Sequence, residues 1–304
     1  MTLLSPSASC SFRGSNAPCH KAERFPSGNP RRCSPSNECA VSTSVGLLRP
    51  RSEPDFPRHP DIQAVEFHDT GFAARIAIVS SSVATPAGDI DAELLLFHQD
   101  GGLRRVFPIN GRTDGGNWDE AKELHLAPTL HIPSPIGILS ARFLAVAFYP
   151  SGKLRSLTLW PRERLVVRTP AGAFWIRTGI SFHENGAIAS VEPHETVMVE
   201  TPLGRLSAFD PNPLGVAGDR NSLAWNSEGG LQRIVTVVES FVCETGTGVE
   251  ETWSPRFEPL NCDGGCGVSA ALELTFQADH VQIDQGPRRR NYALANVALR
   301  PTRS

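Results

Sequence analysis

Two short phrases recur along this chain at nearly fixed spacing, and that recurrence limits what it can fold into more than any other feature. The first phrase is an aromatic or apolar pair, three residues, a Gly and a Leu or Ile. It occurs at 65–72 (VEFHDTGF), 96–103 (LFHQDGGL, one residue longer), 147–154 (AFYPSGKL), 181–188 (SFHENGAI) and 224–231 (AWNSEGGL). The second phrase is Thr/Ser-Pro-x-Gly, at 85–88, 134–137, 169–172 and 201–204, with 245–248 (TGTG) read as a degraded fifth copy. In three regular copies the first-phrase Gly precedes the next second-phrase Gly by 17, 20 and 18 residues. The return step is 14 or 15 residues, so the unit is about 32 residues, or two hairpins of about 16.

Sixteen residues hold two short strands and their turns. Asn185-Gly186 and Ser151-Gly152 supply the positive φ that a tight turn demands. In Thr-Pro-x-Gly, Pro fixes φ at one corner and Gly closes the turn. The flanks alternate: Val197, Val199 and Thr201 face one way, Met198 and Glu200 the other, as in strands with one buried face. One hairpin cannot bury its apolar face alone, so tandem units must stack. The expected fold is all-β, with tandem two-hairpin repeats forming an extended twisted sheet or a β-solenoid. A five-bladed β-propeller is the alternative, although 32 residues is short for a four-stranded blade.

Two insertions break the period, at 105–126 and 210–221. Insertions into repeats map to loops, and loops on a rigid scaffold commonly carry function. The first holds the one short helix expected, 119–125, with acidic residues in its first turn. Residues 38–249 form the repeat domain. Beyond 250 the pattern stops, and alternating runs at 271–276, 280–284 and 292–299 suggest a C-terminal β cap continuing the sheet. Residues 1–37 are rich in Ser, Pro and Arg and poor in aromatics, which predicts a disordered tail, an organelle transit peptide, or a basic binding arm.

Charge and cysteines narrow the function classes. The net charge is −3, with +4 in residues 1–60 and −7 in the remainder, so no electrostatic case for nucleic acid exists. No run of eighteen apolar residues occurs, and no apolar signal-peptide core follows the N-terminus. Seven cysteines without a signal peptide favour reduced thiols and a cytoplasmic protein, or an organelle if 1–37 is a transit peptide.

The phrase at 182–188, Phe-His-x-x-Gly-x-Ile, resembles the repeat units of MORN-type proteins. That resemblance implies a sheet of consecutive hairpins and a scaffold role, in some cases lipid-headgroup binding. The acidic balance of residues 61–304 argues against an anionic membrane partner. The region 39–238 is similar to a family of uncharacterised bacterial and archaeal proteins. The carrying phrases are 105–111 (RVFPING), 157–161 (LTLWP), 190–193 (SVEP) and 218–223 (GDRNSL). The similarity implies architecture and no activity.

No Gly-x-Ser-x-Gly, Walker loop, His-Glu-x-x-His or Gly-x-Gly-x-x-Gly occurs, so no cofactor is expected. His68, His98 and His183 share one repeat position and could form a metal-binding ladder. Tyr149 and an Asn occupy the same position, which favours a half-buried ring on a sheet face. Cys262 and Cys266, with Cys243 and His280, could hold a metal or a redox pair, or be loose loop thiols.

The candidate site set consists of polar residues that depart from the repeat. Asn110, Trp118 and Glu120 lie in or beside the first insertion; Glu192, Asp210, Asp219 and Asn221 lie in or beside the second; Arg177 precedes the fourth repeat. Such residues beside turns suit a groove for a ligand or a protein partner, although Asp and Asn also lock turns on their own. The expected function is therefore a non-enzymatic binding or scaffold protein. The competing expectation is a small-ligand or hydrolase-type site using Glu192, Asp210 and Asp219 as acid and base.

Overall fold

The structure is a computed structural model that describes residues 8–12, 15–35, 39–51, 65–110, 126–211, 218–259 and 267–300. The protein is all-β: among the described residues there is no α-helix, only a single 3-10 turn at Leu294–Asn296. It divides into two compact units, residues 1–155 and 156–304.

The strands of the first unit are β1 (Ala8–Phe12), β2 (Ser15–Arg24), β3 (Pro30–Pro35), β4 (Val41–Thr43), β5 (Gly46–Leu48) and β6 (Val65–Phe67). They continue as β7 (Ala73–Thr85), β8 (Gly88–Phe97), β9 (Leu103–Phe107), β10 (Thr129–Ser134) and β11 (Gly137–Phe148). β12 (Leu154–Leu159) begins two residues before the second unit and is followed there by β13 (Leu165–Thr169), β14 (Gly172–Phe182), β15 (Ile188–Pro193), β16 (Val197–Thr201) and β17 (Gly204–Ala208). Next come β18 (Leu223–Trp225), β19 (Leu231–Thr236), β20 (Phe241–Glu244), β21 (Glu250–Trp253), β22 (Arg256–Pro259) and β23 (Gly267–Ala270). The last are β24 (Leu272–Phe276), β25 (His280–Gln285), β26 (Arg288–Ala293) and β27 (Val297–Leu299).

In the first unit an antiparallel ladder runs β1–β2–β3–β6–β7–β8–β9–β11. In the second it runs β12–β14–β15–β18–β19–β24–β25–β26. Each ladder is continuous, which separates this fold from propeller blades of four strands each. Long strands serve two partners. Residues 137–142 of β11 pair with β10 while Val146 and Ala147 pair with β9. Residues 172–176 of β14 pair with β13, while 179–181 pair with β12. One hairpin of each unit thus lies in the ladder, and the second-phrase hairpin branches from it as an arm.

The two phrases build two different turns. In the first phrase the residue after the aromatic makes both closing bonds: the His98 amide donates to Gly102 O (2.8 Å) and His98 O accepts from the Gly101 amide (3.0 Å). The same pair closes the turns at His68, Tyr149, His183 and Asn226. Gly at the fourth position takes positive φ, 90° at Gly101, which L side chains rarely adopt. A one-residue register shift follows at the aromatic, between Leu96 and Phe97 or Ala224 and Trp225, as expected where a glycine bulge closes a hairpin. The aromatics Phe97, Phe148, Phe182 and Trp225 are buried by it.

In the second phrase a hydroxyl clamps the turn. Thr85 Oγ1 donates to Gly88 O (2.6 Å) and accepts from the Ala87 amide (3.1 Å). Ser134, Thr169 and Thr201 repeat both bonds. So does Thr43, in a copy at 43–46 that lacks the Pro. Thr245–Gly248 is not a degraded member of this set. Its amide donates to Val249 O (2.9 Å) and Gly248 N donates back to Thr245 O (2.9 Å), the pattern of the first phrase.

The N-terminal segment also differs from expectation. Residues 25–29 form a further first-phrase turn, with the Phe25 amide on Asn29 O (2.7 Å), and Arg32 and Cys33 of β3 pair with Glu66 and Val65 of β6. Cys33 is buried and disulfide-bonded, not a reduced thiol. Composition predicts disorder from the apolar surface a segment carries by itself. It does not register backbone pairing to a neighbour's edge or a covalent cross-link.

Candidate functional site

The described residues bring much of the second-insertion set together in the second unit. Arg177 on β14 faces Glu192 on β15 as a cross-strand pair, 3.9 Å apart. Just beyond Arg177 the β14–β15 register shifts, and Thr178 takes a φ of 56°. The bulge makes room for the returning chain at Gly218. A Cβ on Gly179 would sit 2.3 Å from Gly218 Cα, and one on Gly218 would sit 2.4 Å from Leu157 O. Only glycines allow that approach, and the Gly218 amide is then tied to Thr158 Oγ1 (2.8 Å).

From this anchor the 218–222 segment places three side chains in turn. Asp219 accepts from Ser156 Oγ (2.8 Å). Asn221 donates through Nδ2 to Ser190 Oγ (2.7 Å) and Gly218 O (3.1 Å). Ser222 binds Glu192 twice over, its amide on Oε2 (2.8 Å) and its hydroxyl within 2.7 Å of both carboxylate oxygens. At the other end of the insertion, Arg177 donates to Asp210 O and to Pro193 O (3.2 Å) and stacks over the Phe209 ring at 4.8 Å.

Glu192 is only 1 % exposed. Burial pushes its carboxyl up to about 7 against the opposing pull of the Ser222 bonds and Arg177, with Asp210 adding a smaller upward push. Beside it lies a cavity of about 330 Å³, lined among others by Asp210, Asn221, Arg233 and Glu273. Arg233 donates to Asn221 O (2.7 Å) and pairs with Glu273 (3.1 Å), which Arg220 also reaches (2.7 Å). Asp284 and Arg289 form a second ion pair on the same wall. Asp219 is not among the lining residues, so the three carboxylates of the hydrolase expectation do not all face this cavity.

Ser222, Arg233, Glu273, Asp284 and Arg289 were not among the residues singled out from sequence. Ser222 stands next to Asn221 inside the GDRNSL phrase, which was a usable signal. The others lie on ordinary alternating strands and carried none.

In the first unit Asn110 is buried, and its amide donates to Glu93 Oε2 (3.0 Å). Trp118, Glu120 and the expected helix at 119–125 lie outside the described residues, as do Cys262 and Cys266. The shared histidine position proves structural. His68 Nε2 bonds Phe97 O (3.0 Å), His98 Nε2 bonds Phe148 O (3.1 Å) and His183 Nε2 bonds Trp225 O (2.9 Å). A carbonyl only accepts, so Nε2 carries the proton in each, and only Nδ1 keeps a lone pair. Among the described residues no group of three or more His, Cys, Asp or Glu could hold a metal ion.

A second polar cluster lies near the C-terminus. Glu251 accepts from Tyr292 Oη (2.6 Å) and Arg288 (2.8 Å), and Arg288 stacks over Trp253 at 3.7 Å. Burial and the Glu251 carboxylate push Tyr292 up to about 12, and burial pushes the neighbouring Cys243 thiol up to about 12. A thiol so raised is inert at neutral pH. The cluster joins β21 to β26 and reads as packing.

No helix of the described residues is long and apolar enough to cross a membrane. No protein-family model, curated protein or solved structure matches this chain.

Proposed function

We propose that the chain is a non-enzymatic binding protein, with hairpin repeats as a rigid scaffold and the cavity beside Glu192 as its binding site. The observation that carries this reading is convergence: Glu192, Asp210 and Asn221 share one cavity, and Arg177 fastens the Asp210 end of the insertion that forms it. Side chains locked by hydrogen bonds, Glu192 on β15 and Asn221 on the adjoining loop, make a preorganised site, as ligand recognition requires. The MORN-like pattern supports the scaffold half of the reading and leaves a protein partner or self-association through the sheet as further roles. Native mass spectrometry of the chain purified from cell extract tests it. Bound mass, a partner chain or an oligomer is the expected result; a bare monomer that also captures nothing in pull-downs removes its basis.

One observation favours catalysis. Glu192 is raised to about 7 and shares its cavity with Asp210, which is the environment of a general acid. Against it, both Glu192 oxygens are already held by Ser222. Hydrolysis of chromogenic glycosides or esters that disappears in Glu192→Gln would favour catalysis over binding.

The sequence argument supports a cytoplasmic setting, with an organelle as the alternative. The Cys33 disulfide pulls toward an oxidising one.

A further inference from the structure

We propose that the open face of the β13–β14 arm docks an acidic peptide segment. One apolar side chain of that segment packs on Trp175, and the carboxylates flanking it meet Arg164 and Arg168. None of these three residues lines the cavity beside Glu192. The surface is therefore a second site beyond the function proposed above, and its failure leaves the cavity reading standing.

The arm has one core face and one open face. Val167 and Ile176 are buried, whereas Val166 and Trp175, a direct cross-strand pair, are 56 % and 55 % exposed. Trp175 is the one aromatic among the exposed large apolar side chains described. Pairing with Val166 supports the hairpin but leaves most of the indole in water. Trp and Arg are the side chains most enriched at the energetic centres of protein interfaces, and this face carries both.

Charge decides the kind of partner. Side chains alternate along a strand, so Arg164 and Arg168 lie on the same face as Val166, one on each side of it. Arg168 faces Ala173 across the hairpin and meets no carboxylate among the described residues. Arg164 donates to His194 Nδ1 (2.7 Å) and to the Glu163 carbonyl (2.6 Å), again not to a carboxylate. Continued by one step, the register sets Arg164 opposite Arg177. Burial and then the Arg177 charge hold the Arg164 pKa below its ordinary value, against a smaller upward pull from Glu163. Like charges opposed across strands are unfavourable, and an incoming carboxylate relieves them. The arginines elsewhere in this unit lack that need. Glu200 faces Arg205 at the equivalent level of the β16–β17 arm, and beside the cavity Arg220, Arg233 and Arg289 are each paired to a carboxylate.

Strand geometry sets the form of the segment. Alternate residues of a strand stand about 7 Å apart on one face, in a bound extended peptide as on β13. The pattern acid-x-apolar-x-acid therefore sets its three side chains in step over Arg164, the Val166–Trp175 pair and Arg168. A long polyanion fits less well, because residues 61–304 carry a net charge of −7 and repel it beyond the patch. Single-stranded nucleic acid is held by successive stacking rings, and this face offers one.

Fluorescence anisotropy on the full chain at low salt tests this with a short labelled peptide repeating Glu-Thr-Leu-Thr. The comparison probes are the same peptide with Lys for Glu, an oligo-dT of matched length and phosphatidylserine vesicles. The expected result is binding of the acidic peptide with a Kd below about 100 μM. Trp175→Ala should weaken it about tenfold or more, and Arg168→Glu about five- to tenfold. Arg168 is exposed, so its variant keeps the fold and the test stays valid if the Trp175 variant loses its hairpin. Arg205→Glu, on the neighbouring arm, should leave binding unchanged. Equal binding of the lysine peptide would overturn the proposal. Binding of the oligonucleotide alone or of the vesicles alone would overturn the peptide assignment. Acidic-peptide binding that survives both Trp175→Ala and Arg168→Glu, or falls equally in Arg205→Glu, would overturn the location. Silence from the acidic peptide at about 1 mM would overturn the whole proposal.

Discussion

At the scale of single residues, Glu192 is where composition and environment disagree most. A carboxyl that is ordinarily ionised at neutral pH sits buried against Ser222, and burial outweighs the hydrogen bonds and Arg177 that favour its charge. Its folded value of about 7 lies above the ordinary 4.5, so the folded state holds the proton more tightly than the unfolded chain. The stability this contributes is fully present below about pH 4.5 and is lost as pH rises through about 7. Glu192→Gln is neutral at every pH and keeps an acceptor for Ser222. Thermal melts of the two proteins across that window should therefore diverge as pH rises. The wild type falls behind by up to on the order of 3 kcal/mol at the alkaline end. Parallel curves would show that Glu192 is not desolvated. Glu192 was legible in sequence because it broke an alternating strand beside a Pro. Its partner Ser222 was not, because a serine is unremarkable in any loop.

Secondary-structure elements behave as their turns dictate. The hydroxyl clamp explains why Thr or Ser begins every second-phrase copy, a feature the Pro and Gly alone do not require. Thr169→Val should cost about 1–2 kcal/mol, because it removes one donor and one acceptor at a mostly buried turn. Thr169→Ser should cost well under half of that, and equal losses from both, read by chemical denaturation, would refute the clamp. At the first-phrase turns, His183→Phe should destabilise more than His183→Gln, which can still donate to Trp225 O. Equal melting temperatures would refute that role, and a rise on adding zinc would revive the metal ladder. The 218–222 loop is held by steric necessity. Gly218→Ala drives a Cβ into the Leu157 carbonyl and should cost about 1–3 kcal/mol, with loss of the cavity's ligand. A wild-type melting profile for that variant would show that the loop can shift.

For the molecule as a whole, the repeat reaches further toward the N-terminus than its visible copies. Phe25–Gly28 carries the first phrase into a region that composition marked as disordered, and Thr43–Gly46 adds a copy of the second phrase ahead of Thr85. Peptide mapping without reductant should find Cys33 protected from alkylation, and reduction should lower stability by about 2–4 kcal/mol. Free alkylation of Cys33 in the native protein would return the first 37 residues to the status of a loose tail.

The sequence by itself determined the all-β class, the alternation of two hairpin types and the positions where the period breaks. Those properties are local: turn chemistry and side-chain alternation act over a few residues, so they can be read in order along the chain. It also pointed to Arg177, Glu192, Asp210 and Asn221 as departures from the repeat. Only the tertiary structure decided that Glu192, Asp210 and Asn221 meet at one cavity, with Arg177 paired to Glu192 and Asp219 turned to Ser156, and that Arg233, Glu273 and Asp284 complete the wall. The physical reason is that β24 comes from far along the chain and pairs with β19, and β25 with β24, through backbone bonds that carry no side-chain signature. The histidines show the same division. Their shared position was visible in the repeat, but each ring's partner is the carbonyl of the next aromatic, which only the stacking of hairpins brings within reach.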